Sequence, residues 1–429
     1  MRKSGLSKDF FKGNRQKLQK KLKKNSLVII HSNDEMPRNG DQFFPFRQNS
    51  DFYYLTGFNQ ERSIFCFFPD HQDTRLREIA FIFEPSKKDE IWNGYKYSVD
   101  EAQRISGIDT IKYIKDFEHT LRDLVLQADQ VYLYQNEYPK FSTDVPERNL
   151  RFARQLLHDY PTIHTERLVP ILTDLRVIKE ADEIEMIKQA CGITKQAFDR
   201  VLDFVKPGVY EYQVEAEIVH EFLRNGSQGH AYAPIVAAGK NACVLHYVTN
   251  NCVCNSSDLL LLDFGAEYGN YAADCSRTIP VNGTFSERQR ECYESVLRVF
   301  KKAKQLFVPG NSIKIVNEKV NKWMEEEMVK LGLFSSEDIE KQEESSPMYM
   351  NYYMHGTSHF IGLDVHDVGE KDRVFEKGMV LSCEPGIYIE NENIGIRIEN
   401  DILVDNIPID LMEDIPLEVG KIELLMQKL

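Results

Sequence analysis

Leu259-Leu-Leu-Leu-Asp-Phe-Gly-Ala-Glu-Tyr-Gly-Asn-Tyr-Ala-Ala-Asp274 reads as a β-hairpin: an apolar strand, a turn near Gly269-Asn270 and a returning strand. If the loop is Tyr268-Gly269, Glu267 pairs with Asn270 and, counting outward, Asp263 pairs with Asp274. If the loop is Gly269-Asn270, the register shifts by one pair, yet both aspartates keep the same face because side chains alternate with period two. Opposed Cβ atoms in such a pair lie roughly 4.5 to 5.5 Å apart. Two ionised carboxylates held that close beside a run of leucines repel strongly in low dielectric, and a bound cation relieves the repulsion.

The pattern recurs downstream. Glu384 in Leu381-Ser-Cys-Glu-Pro-Gly-Ile and Glu399 in Ile396-Arg-Ile-Glu-Asn lie on two β-rich runs joined through residues 391–393. Single acids on a surface need no partner, but four acids embedded in apolar strand sequence are hard to bury without one. Between the hairpins stands His355-Gly-Thr-Ser-His359-Phe-Ile-Gly-Leu-Asp-Val-His366-Asp, which gathers three of the eleven histidines of the chain. The spacing of His355 and His359 matches a zinc-peptidase helix, but the glutamate of H-E-x-x-H is missing and Gly356 and Gly362 oppose a helix. Four carboxylates and one imidazole suit harder cations such as Mn²⁺, with Zn²⁺ and Co²⁺ as alternatives, and two ions per chain are expected.

Working outward, apolar residues at helical spacing over 180–205 stop at Pro207-Gly208, and a second helix follows over 210–223. The same order returns over 287–307, Pro309-Gly310 and 313–331. Helix, Pro-Gly, helix and then strands occur twice, too far apart for a solenoid repeat, which points to an internal duplication of one α/β half. Upstream, Leu27-Val-Ile-Ile30, Ile64-Phe-Cys-Phe-Phe68 and Ile79-Ala-Phe-Ile-Phe83 alternate with turns and helical stretches, the mark of a smaller α/β domain. Pro161 and Pro170 punctuate the chain before its character changes, and the boundary is placed at 173. The expected domains are therefore 1–173 and 174–429.

The 429 residues allow two domains of ordinary size. With 42% hydrophobic and 28% charged residues the composition is that of a globular protein, neither disordered nor membrane-embedded. A net charge of -14 argues against nucleic acid, whose binding needs a basic surface. The lysine-rich stretch 1–24 reads as a solvated helix, since no apolar core of signal-peptide length is present and Asp9 disfavours a transit peptide. Eight scattered cysteines without a C-x-x-C pair fit a reduced, cytoplasmic setting. Cys252 and Cys254 lack a nearby Cys or His pair, so a structural zinc site there is not expected.

Leu262-Asp-Phe-Gly-Ala-Glu, the His355–Asp367 string, Glu384-Pro-Gly-Ile-Tyr and Gly395-Ile-Arg-Ile-Glu together resemble the catalytic domain of the aminopeptidase P and prolidase metallopeptidases. Pro45-Phe-Arg-Gln-Asn-Ser-Asp-Phe-Tyr-Tyr-Leu-Thr-Gly57 is similar to the N-terminal domain of the aminopeptidase P side of that family. The resemblance implies an α/β (α+β) fold, with a pseudo-duplicated C-terminal pita-bread domain behind a smaller creatinase-like N-terminal domain. It assigns Asp263, Asp274, His359, Glu384 and Glu399 as ligands to two metal ions. It further implies release of the first residue from peptides with proline second, by a hydroxide bridging the two cations. Glu384 would act as general base and then acid, and His355 or His366 would stabilise the oxyanion. His246 and Arg397 fall at the substrate site, and Trp92 corresponds to a tryptophan that reaches a neighbouring subunit's site, so a homodimer or homotetramer is expected. A dipeptide-only prolidase, a metal-free creatinase-like enzyme and a binding module that has lost its metals are the rival readings. The string from Arg47 to Thr56 weighs against the first, and the intact ligand set against the other two.

Overall fold

The computed structural model describes residues 5–343 and 345–427 and divides into two compact units, one running to Arg176 and the other starting at Val177. The first unit is built on a six-stranded mixed sheet. Its central strand, Ser26–His31, pairs antiparallel with Ile64–Phe67 on one side and parallel with Gln130–Leu133 on the other. Alternate residues Leu27, Ile29, Ile64, Cys66, Ile79 and Phe81 pack in one core with Phe117, Leu121 and Leu124 of the helix Phe117–Val125. The helix Val169–Arg176 closes this unit, with Pro170 in its first turn, where the missing N–H costs nothing.

The N-terminal helix is not the solvated one expected. Lys8–Gln19 is capped by the Ser7 side chain and buries Phe11 and Leu18 completely, and Arg15 reaches inward to the Leu55 carbonyl and to Glu78. The lysines occupy one exposed side, while Phe10, Phe11, Asn14 and Leu18 form a helical stripe that the local charge density hid.

In the second unit the helix pairs recur as the sequence predicts. Ala181–Phe204 is followed by Glu211–Arg224, and Glu287–Lys304 by Ile313–Lys330. Each first helix ends before a Pro-Gly pair whose glycine, Gly208 or Gly310, has φ of +94°, a conformation that only glycine adopts without strain. After each pair comes a long antiparallel hairpin. The first runs through Leu259–Phe264 and Cys275–Pro280, beside Ile235–Ala238. The second runs through Val380–Cys383 and Asn400–Leu403, and continues as Gly386–Ile389 with Ile394–Arg397. No helix among the described residues is long and apolar enough to cross a membrane.

Candidate metal centre

The turn chemistry settles the register of the first hairpin. Gly269 and Asn270 both have positive φ, +58° and +69°, as a two-residue type I′ turn demands, and a tyrosine at the first of these positions would be strained. Tyr268 therefore pairs with Tyr271, Glu267 with Ala272, and Asp263 stands opposite Ser276 rather than opposite Asp274. Asp274 lies instead opposite Gly265, where the ladder is interrupted. Its backbone N–H donates to the Asp401 carboxylate at 3.1 Å. The two aspartates still meet: the Tyr232 hydroxyl donates to Asp263 Oδ1 at 2.6 Å and is 2.5 Å from Asp274 Oδ1.

The second hairpin is interrupted at the corresponding place. Pairing stops after Cys383–Asn400 and resumes at Gly386–Arg397, which leaves Glu384 and Glu399 in the gap. The Glu384 N–H goes to the Thr357 carbonyl, and the Glu399 N–H to the Ser276 carbonyl of the first hairpin. The first hairpin thus releases Asp274 from the ladder while Asp263 stays paired, and the second releases both Glu384 and Glu399, where the two hairpins approach one another. His359 stands between them, its N–H held by Ser382 Oγ at 3.0 Å and its Nδ1 donating to the Phe360 carbonyl at 3.2 Å. That bond turns Nε2 toward the acids, the orientation a metal-binding imidazole requires. Nε2 is 3.3 Å from Asp274 Oδ2, 3.6 Å from Glu384 Oε1 and 4.0 Å from Glu399 Oε1.

This arrangement is electrostatically unbalanced as it stands. Asp274, His359 and Glu399 each offer a ligand atom within 4.8 Å of the others. Burial pushes the Glu399 carboxyl well up, and the charges of Asp274, Glu384 and Asp263 push the same way. Its Oε1 is buried and accepts no hydrogen bond. Glu384 is pushed up to about 7, chiefly by burial, with His359 opposing and Asp274 reinforcing. Burial works against a charged His359, yet Asp274 and Glu384 outweigh it and push its pKa up to about 9. An orphaned acceptor among repelling carboxylates, with His359 Nε2 turned inward, fits a divalent cation that would take the place of the Nε2 proton.

Around this cluster, Arg397 is buried and its charge is spent on neighbours: Nη2 meets Asp263 Oδ2 at 2.5 Å, Nη1 the Tyr388 hydroxyl at 2.7 Å and Nε Ser276 Oγ at 2.9 Å. His355 has both ring nitrogens engaged, Nδ1 with the Gly356 carbonyl and Nε2 with the Tyr388 hydroxyl, each at 2.8 Å. Burial and then the Arg397 charge lower its pKa to about 3, so it is neutral. His366 is exposed and sets its ring edge-on to His359 with centroids 4.4 Å apart. His246 is exposed on an irregular loop. Trp92, in the other unit, is 77% exposed on the short helix Lys87–Asn93, so ordinary packing within its own domain is excluded. Cys252 is exposed and Cys254 buried. Tyr232, Ser276, Tyr388 and Asp401 escaped the sequence reading. Tyr232 sits in Ala231-Tyr-Ala-Pro234, where neither periodicity nor charge marks it.

Residues 185–406 match the profile of metallopeptidase family M24, and residues 11–134 that of the aminopeptidase P N-terminal domain. The chain is 36% identical over 416 residues to the Xaa-Pro aminopeptidase of Escherichia coli (strain K12), spanning 94% of this chain and 93% of that protein. It is 36% identical over 434 residues to the Xaa-Pro aminopeptidase of Haemophilus influenzae, spanning 98% of each. The structure of Zn-substituted E. coli aminopeptidase P in complex with product superposes with a TM-score of 0.90 at 33% identity over 98% of each chain. The chain belongs to metallopeptidase family M24, in its aminopeptidase P branch. It is a metal-dependent hydrolase with the two-domain fold of that branch: an aminopeptidase P N-terminal domain followed by a pita-bread domain.

Proposed function

We propose that this enzyme releases the N-terminal residue from peptides with proline in second position, using two divalent cations, Mn²⁺ first among them, held by Asp263, Asp274, His359, Glu384 and Glu399. The observation that carries the proposal is the meeting of Asp274, His359 and Glu399 around one point, with a buried carboxylate oxygen of Glu399 left without a donor. Such cations supply Lewis acidity, which brings the pKa of a water close to neutral and polarises a scissile carbonyl. The remaining work falls to the side chains. Glu384, whose carboxylate lies at the edge of the cluster 3.6 Å from His359 Nε2, would take a proton from the attacking water and deliver it to the leaving proline nitrogen. His355 Nδ1, which donates to the Gly356 carbonyl, lies 3.5 Å from Glu384 Oε2 and lines the site on that side. His355 or His366, whose ring stands beside that of His359, would donate to the developing oxyanion. Arg397 orients Asp263 through its ion pair, and His246 contacts the peptide. Proline's tertiary amide carries no N–H, which handicaps peptidases that depend on that donor. Eight thiols without a disulfide among them suit a reducing cytoplasm.

Metal-loaded enzyme should cleave an Xaa-Pro-Xaa tripeptide efficiently, and a chelator should abolish the turnover. Hydrolysis confined to Xaa-Pro dipeptides would mark a prolidase and overturn the assignment. Trp92, with Ile91 81% exposed beside it, is proposed to reach a neighbouring subunit's site in a dimer or tetramer. Trp92→Ala should raise KM severalfold without lowering Tm, because an exposed side chain contributes little to its own domain. A fully active monomer in sedimentation would refute this role.

A further inference from the structure

The loop 239–252 carries His246 and has little regular structure: one short turn of 3₁₀ helix, Gly239–Cys243, then irregular chain. Val244 and Val248 are 55% and 53% exposed, so the tip projects into solvent. Irregular segments of this length inside a compact domain are commonly functional, and a side chain on one is only as well placed as its base. Here one carboxylate holds the base at several points, while Asn250 adds bonds to Val236, Pro234 and Glu215 near its end. Glu211, the first residue of the helix Glu211–Arg224, is fully buried. Its Oε1 accepts from the Ala238 N–H at 2.8 Å and Asn241 Nδ2 at 3.0 Å. Its Oε2 accepts from the Tyr247 hydroxyl and the Cys252 N–H, both at 2.8 Å. One side chain therefore ties the start, the middle and the end of the loop.

Four donors on two oxygens fill a carboxylate's acceptor sites, and the helix N-terminus favours the negative charge. Glutamine, its isostere, would turn an N–H₂ toward two donors. Leu245 and Tyr247 pack inward against Ile235, Ala237, Leu261 and Tyr388, the last being the residue whose hydroxyl contacts both His355 and Arg397. His246 lies between these two inward side chains and is itself exposed.

We propose that Glu211 is a positioning residue of the peptidase: through Tyr247 and the two ends of the loop it sets the His246 imidazole where the peptide is bound. This rests on the assignment of His246 to the substrate site made above. The test compares steady-state kinetics on an Xaa-Pro-Xaa tripeptide for Glu211→Gln, Tyr247→Phe, His246→Ala and the double variant of His246 and Tyr247. Tyr247→Phe keeps the packed ring and deletes one bond. It should raise KM by about 5- to 10-fold with kcat within about twofold, and Glu211→Gln should do the same or more. In the His246→Ala background, Tyr247→Phe should add less than about twofold, because the group it places is gone. Factors that multiply across the two sites, or a wild-type KM in Tyr247→Phe, would overturn the proposal while His246→Ala remains impaired. A wild-type KM in His246→Ala itself would instead remove the His246 assignment, and the positioning role with it. If Glu211→Gln does not fold, the Tyr247→Phe cycle alone decides.

Discussion

Asp274→Asn is expected to lower kcat on an Xaa-Pro-Xaa peptide by at least about 10³-fold, with loss of at least one bound metal per chain, while the fold survives. Asparagine retains an oxygen for the Tyr232 hydroxyl and a backbone N–H for Asp401. What changes is the other terminal atom: an N–H₂ group replaces the oxygen 3.3 Å from His359 Nε2, where a ligand lone pair is needed. The variant also separates function from stability. Burial and the neighbouring charge of Asp263 raise the Asp274 carboxyl above its usual range, against the pull of His359. Removing that charge from a metal-free cluster relieves repulsion, so the Tm of the chelated variant should equal or exceed that of chelated wild type. Elemental analysis, kinetics and melting curves read the three outcomes, and wild-type turnover in Asp274→Asn would end the metal-centre account.

Gly265→Ala should be the most damaging single methyl in the catalytic domain. A Cβ on Gly265 would lie 1.7 Å from the backbone oxygen of Ala273, and backbone cannot swing aside as a flexible side chain can. Gly265 faces Asp274 at the break in the first hairpin, and the close approach there lets the Asp274 N–H leave the ladder for Asp401. Overpacking commonly costs 1–3 kcal/mol, and a clash of this size is expected to cost about 3 kcal/mol or more. Gly192 is the control: it sits inside the helix Ala181–Phe204 with nothing within 4 Å of an added Cβ. Gly192→Ala should be neutral or stabilising by up to about 1 kcal/mol. Similar thermal melts for the two alanine variants would show that the hairpin break does not depend on a missing side chain.

The helix pairs and their Pro-Gly stops were legible because period and turn chemistry are local. Gly208 and Gly310 adopt the same φ for the same reason, and no distant contact is needed to foresee it. Same-face placement of Asp263 and Asp274 was equally local, since the side-chain period of a strand survives a change of register. The choice between registers was present in the sequence too, in the preference of positive φ for Gly269-Asn270 over Tyr268, but it became unambiguous only with the turn formed. The burial of the N-terminal helix was hidden because lysine density dominates the eye where a stripe of Phe11 and Leu18 decides.

The sequence by itself thus determined the acids, the imidazole and the hairpins that carry them, because each is written in a few neighbouring residues. Only the tertiary structure decided how the two hairpins meet. The bond from Glu399 N–H to Ser276 C=O, the hydroxyl of Tyr232 shared by two aspartates and the neutral, fully engaged His355 join residues remote in the chain. Such contacts depend on which elements pack together, and no local period or propensity encodes them.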